Sequence, residues 1–305
     1  MALRLISPTL GSLLSTALTL FFQNAPLLAE SPIGFELVNG QFIVVSVLIN
    51  NTGPYDFMLD TGSNVTLVEP QLISRLNGLS LGTKQLETPA GSRSASCFQI
   101  DQFQLGSRVV RSLEVLALPV TSLKGRRVSG LLGQDFLGKF NYVLDYKNKM
   151  LLFEENQELE KHLSGRIFST YRSAKRVLVM LPPQSSRSRP SLFVMDSGAQ
   201  HLVLFGHQQA GLGFDLKFGY QTGNLNSVVG NQTGLTSRIG FFNIGDTAFT
   251  DLPVVITAET PRSKSFRAEN GLLPTSYFGS IYFNNAKNYV SFNPRFTCEI
   301  SRLVK

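Results

Sequence analysis

Two carboxylates sit in the same local setting in this chain. Asp60 closes the apolar run Tyr55-Asp56-Phe57-Met58-Leu59, and Thr61-Gly62-Ser63 leads from it into Val65 to Val68. Asp196 closes Ser191 to Met195, and Ser197-Gly198-Ala199 leads from it toward Leu202, Val203 and Leu204. Nearly half the chain separates the two acids. Apolar runs this short around a glycine read as strand, sharp turn, strand, with Gly62 admitting a turn that a Cβ would obstruct. Two such acids brought within hydrogen-bond reach cannot both ionise cheaply, so they share a proton and their titrations separate. The ionised member can then take a proton from a trapped water while the protonated member hydrogen-bonds a carbonyl under attack. The chemistry indicated is hydrolysis without a covalent intermediate.

The flanking elements repeat as well. Leu131-Leu132-Gly133 follows the first acid at nearly the same separation as Leu272-Leu273-Pro274 follows the second, as an internal duplication requires. The hydroxyls of Thr61 and Ser197 could each bond to the backbone of the opposite turn. Ser63 could donate to an outer oxygen of Asp60, which Ala199 cannot do for Asp196. On that ground Asp60 is expected to be the more acidic partner, with Asp196 holding the proton. Pro274 is the main asymmetry, since it adds bulk and removes an N–H where the first half has Gly133.

Around these motifs the chain reads as short strands. Asn39-Gly40 marks a hairpin between Phe35 to Val38 and Phe42 to Ile49. Pro70 opens a short helix over 71–76. The stretch 86–100, with Pro89-Ala90-Gly91-Ser92 at its centre, reads as a projecting hairpin, and 220–237 takes its place in the second half. Further strands are expected over 103–105, 113–120, 142–153, 177–181, 239–244, 252–256, 281–283 and 289–292, and 206–211 resembles a short helix.

These residues together resemble the aspartic proteases of the pepsin and retropepsin type, most closely single-chain bacterial proteins with two retropepsin-like halves. The resemblance rests on Asp60-Thr61-Gly62-Ser63 with Leu131-Leu132-Gly133, and on Asp196-Ser197-Gly198-Ala199 with Leu272-Leu273-Pro274. It implies an all-β fold of two pseudo-symmetric β-barrel lobes with short helices, a cleft between the lobes, and hairpin flaps over it. It further implies a polypeptide substrate, no cofactor or metal, Asp60 and Asp196 as the catalytic pair, and a monomer with pseudo-dimeric lobes. Thr61, Gly62, Ser63, Leu132 and Gly133 would support the first catalytic loop, and Ser197, Gly198, Ala199, Leu273 and Pro274 the second. Two rival readings remain: a bilobal peptide-binding protein whose second half-site is spoiled by Pro274, and a homodimer using only the Asp60 half.

At 305 residues the chain can form two lobes, and 43% hydrophobic with 16% charged residues is a globular balance. The formal charge of +7 is scattered over turn-like stretches without interleaved aromatics, which argues against a nucleic-acid surface. Residues 1–29 follow the order of a secretory signal, with Arg4 before the apolar run 10–22. Export therefore is expected, periplasmic or extracellular, with membrane attachment only if this segment is retained. The reading divides the rest into a first lobe over 32–156, a linker over 157–175, a second lobe over 176–297 and a tail over 298–305. Cys97 and Cys298 fall at non-equivalent positions, which fits a bridge between lobes as well as two thiols. His162, His201 and His207 lack metal-pair spacing, and Asp56, Asp135 and Asp145 read as structural.

Overall fold

The computed structural model describes residues 31–88, 91–120, 125–155, 157–206, 211–227, 230–257 and 268–297. The expected signal and tail, Cys298, His207 and the helix expected over 206–211 lie wholly or largely outside them. Strands dominate, and they build two lobes with the same strand order.

In the first lobe the sheet runs Glu36–Val38, Phe42–Ile49, Thr52–Leu59, Gly130–Leu132, Thr66–Val68, Arg108–Ala117, Gly91–Leu105 and Leu79–Thr88. Phe42–Ile49 also pairs with Gly91–Leu105, so six of these strands close on themselves. The hairpin at Asn39-Gly40 forms as its turn chemistry requires, with both residues at positive φ. Pro70 occupies the first turn of the helix Pro70–Leu76, where its missing N–H leaves no bond unmade.

The second lobe repeats this order with Arg176–Leu181, Ser191–Asp196, Gly271–Pro274, Leu202–Phe205, Thr247–Thr257, Gly230–Ile244 and Leu216–Ser227. Here the Gln184 side chain helps close the lobe, donating to the Asn243 carbonyl at 3.1 Å and accepting the Asn243 N–H at 3.0 Å. Both projecting hairpins are longer than the sequence suggests. Leu79–Thr88 pairs with Gly91–Leu105, and Leu216–Ser227 with Gly230–Ile244.

A six-stranded segment joins the lobes in the order Ile33–Gly34, Met150–Phe153, Tyr142–Asp145, Ser280–Asn284, Tyr289–Phe292, Ile167–Ser173. Its two central strands are antiparallel, with Tyr142 opposite Phe283 and Asp145 opposite Ser280, and equivalent hairpins flank them. The segment read as a linker therefore is not a tether. It contains the helix Glu158–His162 and the strand Ile167–Ser173, whose alternation buries Phe168 and Thr170 and exposes the residues between. Its basic composition belongs to the exposed positions, which hid the strand from a reading by charge.

One apolar core runs through both lobes, joining Leu59, Leu132 and Phe136 to Phe193, Leu273 and Phe283. The phenylalanine content is concentrated here: Tyr142 stacks on Phe283 across the junction with ring centroids 4.7 Å apart, and Phe153, Phe140, Phe136 and Phe103 continue the contact to Phe57 beside the first acid. Because the core is continuous, the lobes cannot drift apart without exposing it.

Candidate active site

Each acid stands at the end of a strand trapped between two others. Thr52–Leu59 runs parallel to Gly130–Leu132, with Leu59 beside Leu132, and Gly130–Leu132 is antiparallel to Thr66–Val68. Ser191–Asp196 runs parallel to Gly271–Pro274, with Asp196 beside Pro274, and that strand is antiparallel to Leu202–Phe205. The apolar pairs Leu131-Leu132 and Leu272-Leu273 thus fill the centre of each arrangement. Gly133 is tight for a direct reason: a Cβ there would lie 2.6 Å from the Val65 carbonyl oxygen.

The two turns grip one another through four reciprocal hydrogen bonds. The Thr61 N–H donates to Ser197 Oγ at 2.9 Å, and Ser197 Oγ donates to the Leu59 carbonyl at 2.7 Å. In mirror image, the Ser197 N–H donates to Thr61 Oγ1 at 3.0 Å, and Thr61 Oγ1 donates to the Met195 carbonyl at 2.8 Å. Thr61 and Ser197 are both buried. Loss of either hydroxyl would strand a buried N–H and a carbonyl on the opposite lobe.

This grip brings the acids together. The Asp60 and Asp196 carboxyls face one another closely enough for each to shift the other's titration. Their closeness also explains the paired glycines, because a Cβ on Gly62 would stand 2.5 Å from Asp196 Cγ and one on Gly198 would stand 3.0 Å from Asp60 Oδ2. Each carboxylate also receives backbone donors from its own turn. Asp60 Oδ1 accepts the N–H groups of Gly62 at 2.9 Å and Ser63 at 3.1 Å, and Asp196 Oδ1 accepts that of Gly198 at 2.8 Å.

The Ser63 hydroxyl does not serve Asp60 as the sequence suggested. It donates to the Val65 carbonyl at 2.8 Å, closing a two-residue turn, because that acceptor is local and correctly aimed. Burial against protein atoms raises the Asp60 carboxyl from 3.8 to about 6, offset in part by its backbone donors. Burial also raises Asp196 well above the ordinary range, and the nearby Asp60 charge adds to it. Both carboxyls are thus held above the ordinary range, Asp196 through burial and its neighbour's charge, and neither through the Ser63 hydroxyl.

These shifts carry a stability consequence. A carboxyl whose folded pKa exceeds its unfolded value stabilises the fold fully below about pH 4, and that contribution is lost as pH rises through about 6. For Asp60 the difference is on the order of 3 kcal/mol. Urea unfolding at pH 4 and pH 7 is expected to show this loss, and Asp60→Asn is expected to reduce it.

The halves support their turns differently. Behind the first, Asp135 accepts the Thr66 N–H at 2.7 Å and its hydroxyl at 2.6 Å, and Thr66 Oγ1 accepts the Gly133 N–H at 3.2 Å. In the second half Leu202 occupies the Thr66 position and has no hydroxyl to accept such a bond. Pro274, at the Gly133 position, has no N–H to give, and its φ of −60° suits proline. The Leu202 N–H goes instead to the Tyr277 hydroxyl at 2.8 Å. Pro274 is thus accommodated by matched replacements.

Sequence reasoning missed Gln134 and Tyr277, and gave Asp135 a structural place without naming its partners. Their signal was polar side chains directly after an apolar pair in a segment otherwise buried. His201 is half-buried beside the second turn, and burial lowers its pKa. Cys97 is a buried free thiol packed with Met58, Leu86 and Leu131. Among the described residues no cluster of metal-ligating side chains occurs, and no helix is long and apolar enough to cross a membrane.

A search of curated proteins found no match. A family model described as aspartyl protease matches the chain twice, over residues 45–136 and 187–279. Each match contains one acid, its turn and the apolar pair behind it, and together they span more than half of the 305 residues. By two matches that coincide with its two lobes, the chain belongs to the aspartyl protease family.

Proposed function

We propose that the protein is an aspartic endopeptidase in which Asp60 and Asp196, one from each lobe, activate a single water for attack on a peptide bond. The observation that carries this reading is the reciprocal Thr61–Ser197 grip, which holds two buried carboxyls face to face. Ionised Asp60 accepts the water proton as the water oxygen bonds to the carbonyl carbon, while protonated Asp196 hydrogen-bonds the carbonyl oxygen. The tetrahedral diol collapses as the leaving nitrogen takes a proton, giving a carboxyl and an amine. No covalent enzyme intermediate and no cofactor is needed.

The substrate is an extended polypeptide, bound by main-chain bonds under the two hairpins. Beneath the first hairpin, Met58, Leu67, Leu131, Leu86 and Ala95 pack into a buried apolar cluster that fixes the base of the hairpin on the sheet. Both half-sites lie in one chain joined by a shared sheet and core, which supports a working monomer. The segment 1–29 supports export, with cleavage or retention of the segment deciding attachment.

The test is digestion of an unfolded polypeptide by purified protein across pH 3 to 8. Cleavage is expected, with kcat/KM rising through about pH 6 as Asp60 ionises. Binding of the polypeptide without cleavage at any pH would instead assign the chain to the peptide-binding rival.

A further inference from the structure

The two turns are near mirror images, yet one buried side chain serves only the first. Gln134, 2% exposed, begins the short helix Gln134–Leu137 directly behind the Asp60 turn. Its Nε2 donates to the Thr61 carbonyl at 3.0 Å, and its backbone N–H donates to the Ser63 carbonyl at 2.9 Å. The Thr61 carbonyl and the Gly62 N–H belong to one peptide unit, which is planar, so holding one end aims the other. The other end is the N–H that donates to Asp60 Oδ1 at 2.9 Å.

In the second half, Thr275 stands at the position of Gln134. Its side chain is too short for the same reach, and its hydroxyl is engaged with the Tyr146 hydroxyl at 2.5 Å. The corresponding peptide unit, Ser197–Gly198, lacks the glutamine brace. The titratable group facing Asp60 is Asp196, and Tyr146 lies within electrostatic range of Asp196. Among the described residues no basic side chain contributes to either shift; burial and mutual charge raise both acids, and the orientation of backbone donors is a further asymmetry between them.

We propose that Gln134 is a positioning residue that, by clamping the Thr61–Gly62 peptide unit, decides which acid of the pair carries the negative charge. Gln134 touches no reacting atom and acts through the Gly62 N–H. A carboxylate that keeps a well-aimed backbone donor is favoured in its charged form. Asp60 therefore ionises first, and Asp196 keeps the proton that the carbonyl needs. The structural part of the inference stands on the hydrogen bonds alone, and its catalytic consequence rests on the peptidase reading above.

The test compares wild type with Gln134→Met, which keeps the side-chain length and the backbone bond to Ser63 but removes the side-chain donor. Gln134→Leu provides a second variant, which also removes the side-chain donor and brings no charge into the buried site. Carbon-13 carboxyl titration of the folded proteins is expected to move the Asp60 midpoint up by about 0.5 to 1 pH unit in both variants. The rising limb of kcat/KM is expected to shift equally, with kcat at pH 5 down about three- to tenfold and KM within about twofold. A purely structural role would lower the melting temperature and leave the midpoint in place. An unmoved midpoint in either folded variant overturns the proposal, as does failure of both variants to fold, which would assign Gln134 to stability alone. A shifted midpoint in a protein that cleaves nothing would keep the clamp and reject the peptidase reading.

Discussion

Asp60→Asn is expected to lower kcat for peptide cleavage by at least about 10³-fold, and Asp196→Asn by a similar factor, because the proposed mechanism uses general acid and base as one unit. Asparagine keeps the shape of aspartate and can still accept the Gly62 and Ser63 N–H groups through its oxygen. What it cannot do is take a proton from water. The fold should therefore survive while chemistry stops. Above about pH 6 the Asp60→Asn protein should be the more stable one, since it no longer brings two acids into a site that disfavours charge. Activity and stability would then move in opposite directions from one substitution. Single-turnover cleavage rates together with urea unfolding at pH 7 measure both. Full activity in purified Asp196→Asn protein that runs as a dimer would show that the second half-site is not used and would revive the homodimer reading.

The second large effect is expected at the grip. Ser197→Ala removes one hydroxyl that accepts the Thr61 N–H and donates to the Leu59 carbonyl, leaving two buried groups of the other lobe without partners. The expected loss of stability is about 2–4 kcal/mol. For a chain of this size that corresponds to a fall in Tm of about 3–7 °C. Activity should fall about 10- to 100-fold, since small displacements of paired catalytic groups cost that much. Ser197→Thr should restore both properties, because threonine already fills the mirror position at Thr61. Calorimetry and kcat/KM on the two variants decide it. An Ala variant that melts like wild type would mean that the reciprocal bonds do not hold the lobes in register.

Much of this site is legible in the order of residues alone. The acids, their glycines and hydroxyls, and the trailing apolar pairs are local patterns, and their recurrence at closely matched separations marks a duplicated arrangement. The grip itself could be anticipated from Thr61 and Ser197 because a hydroxyl beside each acid has few other targets. The Ser63 hydroxyl could not be assigned from type alone, since Asp60 and the Val65 carbonyl were both within its reach and only geometry chose. The basic segment before Arg176 failed for a different reason: its strand alternation is short and its exposed positions carry the charge, so composition outweighed periodicity.

What sequence by itself determined was the β character, the duplication and the identity of the paired acids, all of which follow from periodicity and turn chemistry within about ten residues. Tertiary structure decided which strands join the lobes, how Leu202 and Tyr277 make room for Pro274, and that Gln134 reaches behind one turn and not the other. Those outcomes depend on which distant segments meet and on which buried donor finds which acceptor. Residue type limits the possible partners, but only the packed chain brings one of them to bonding distance.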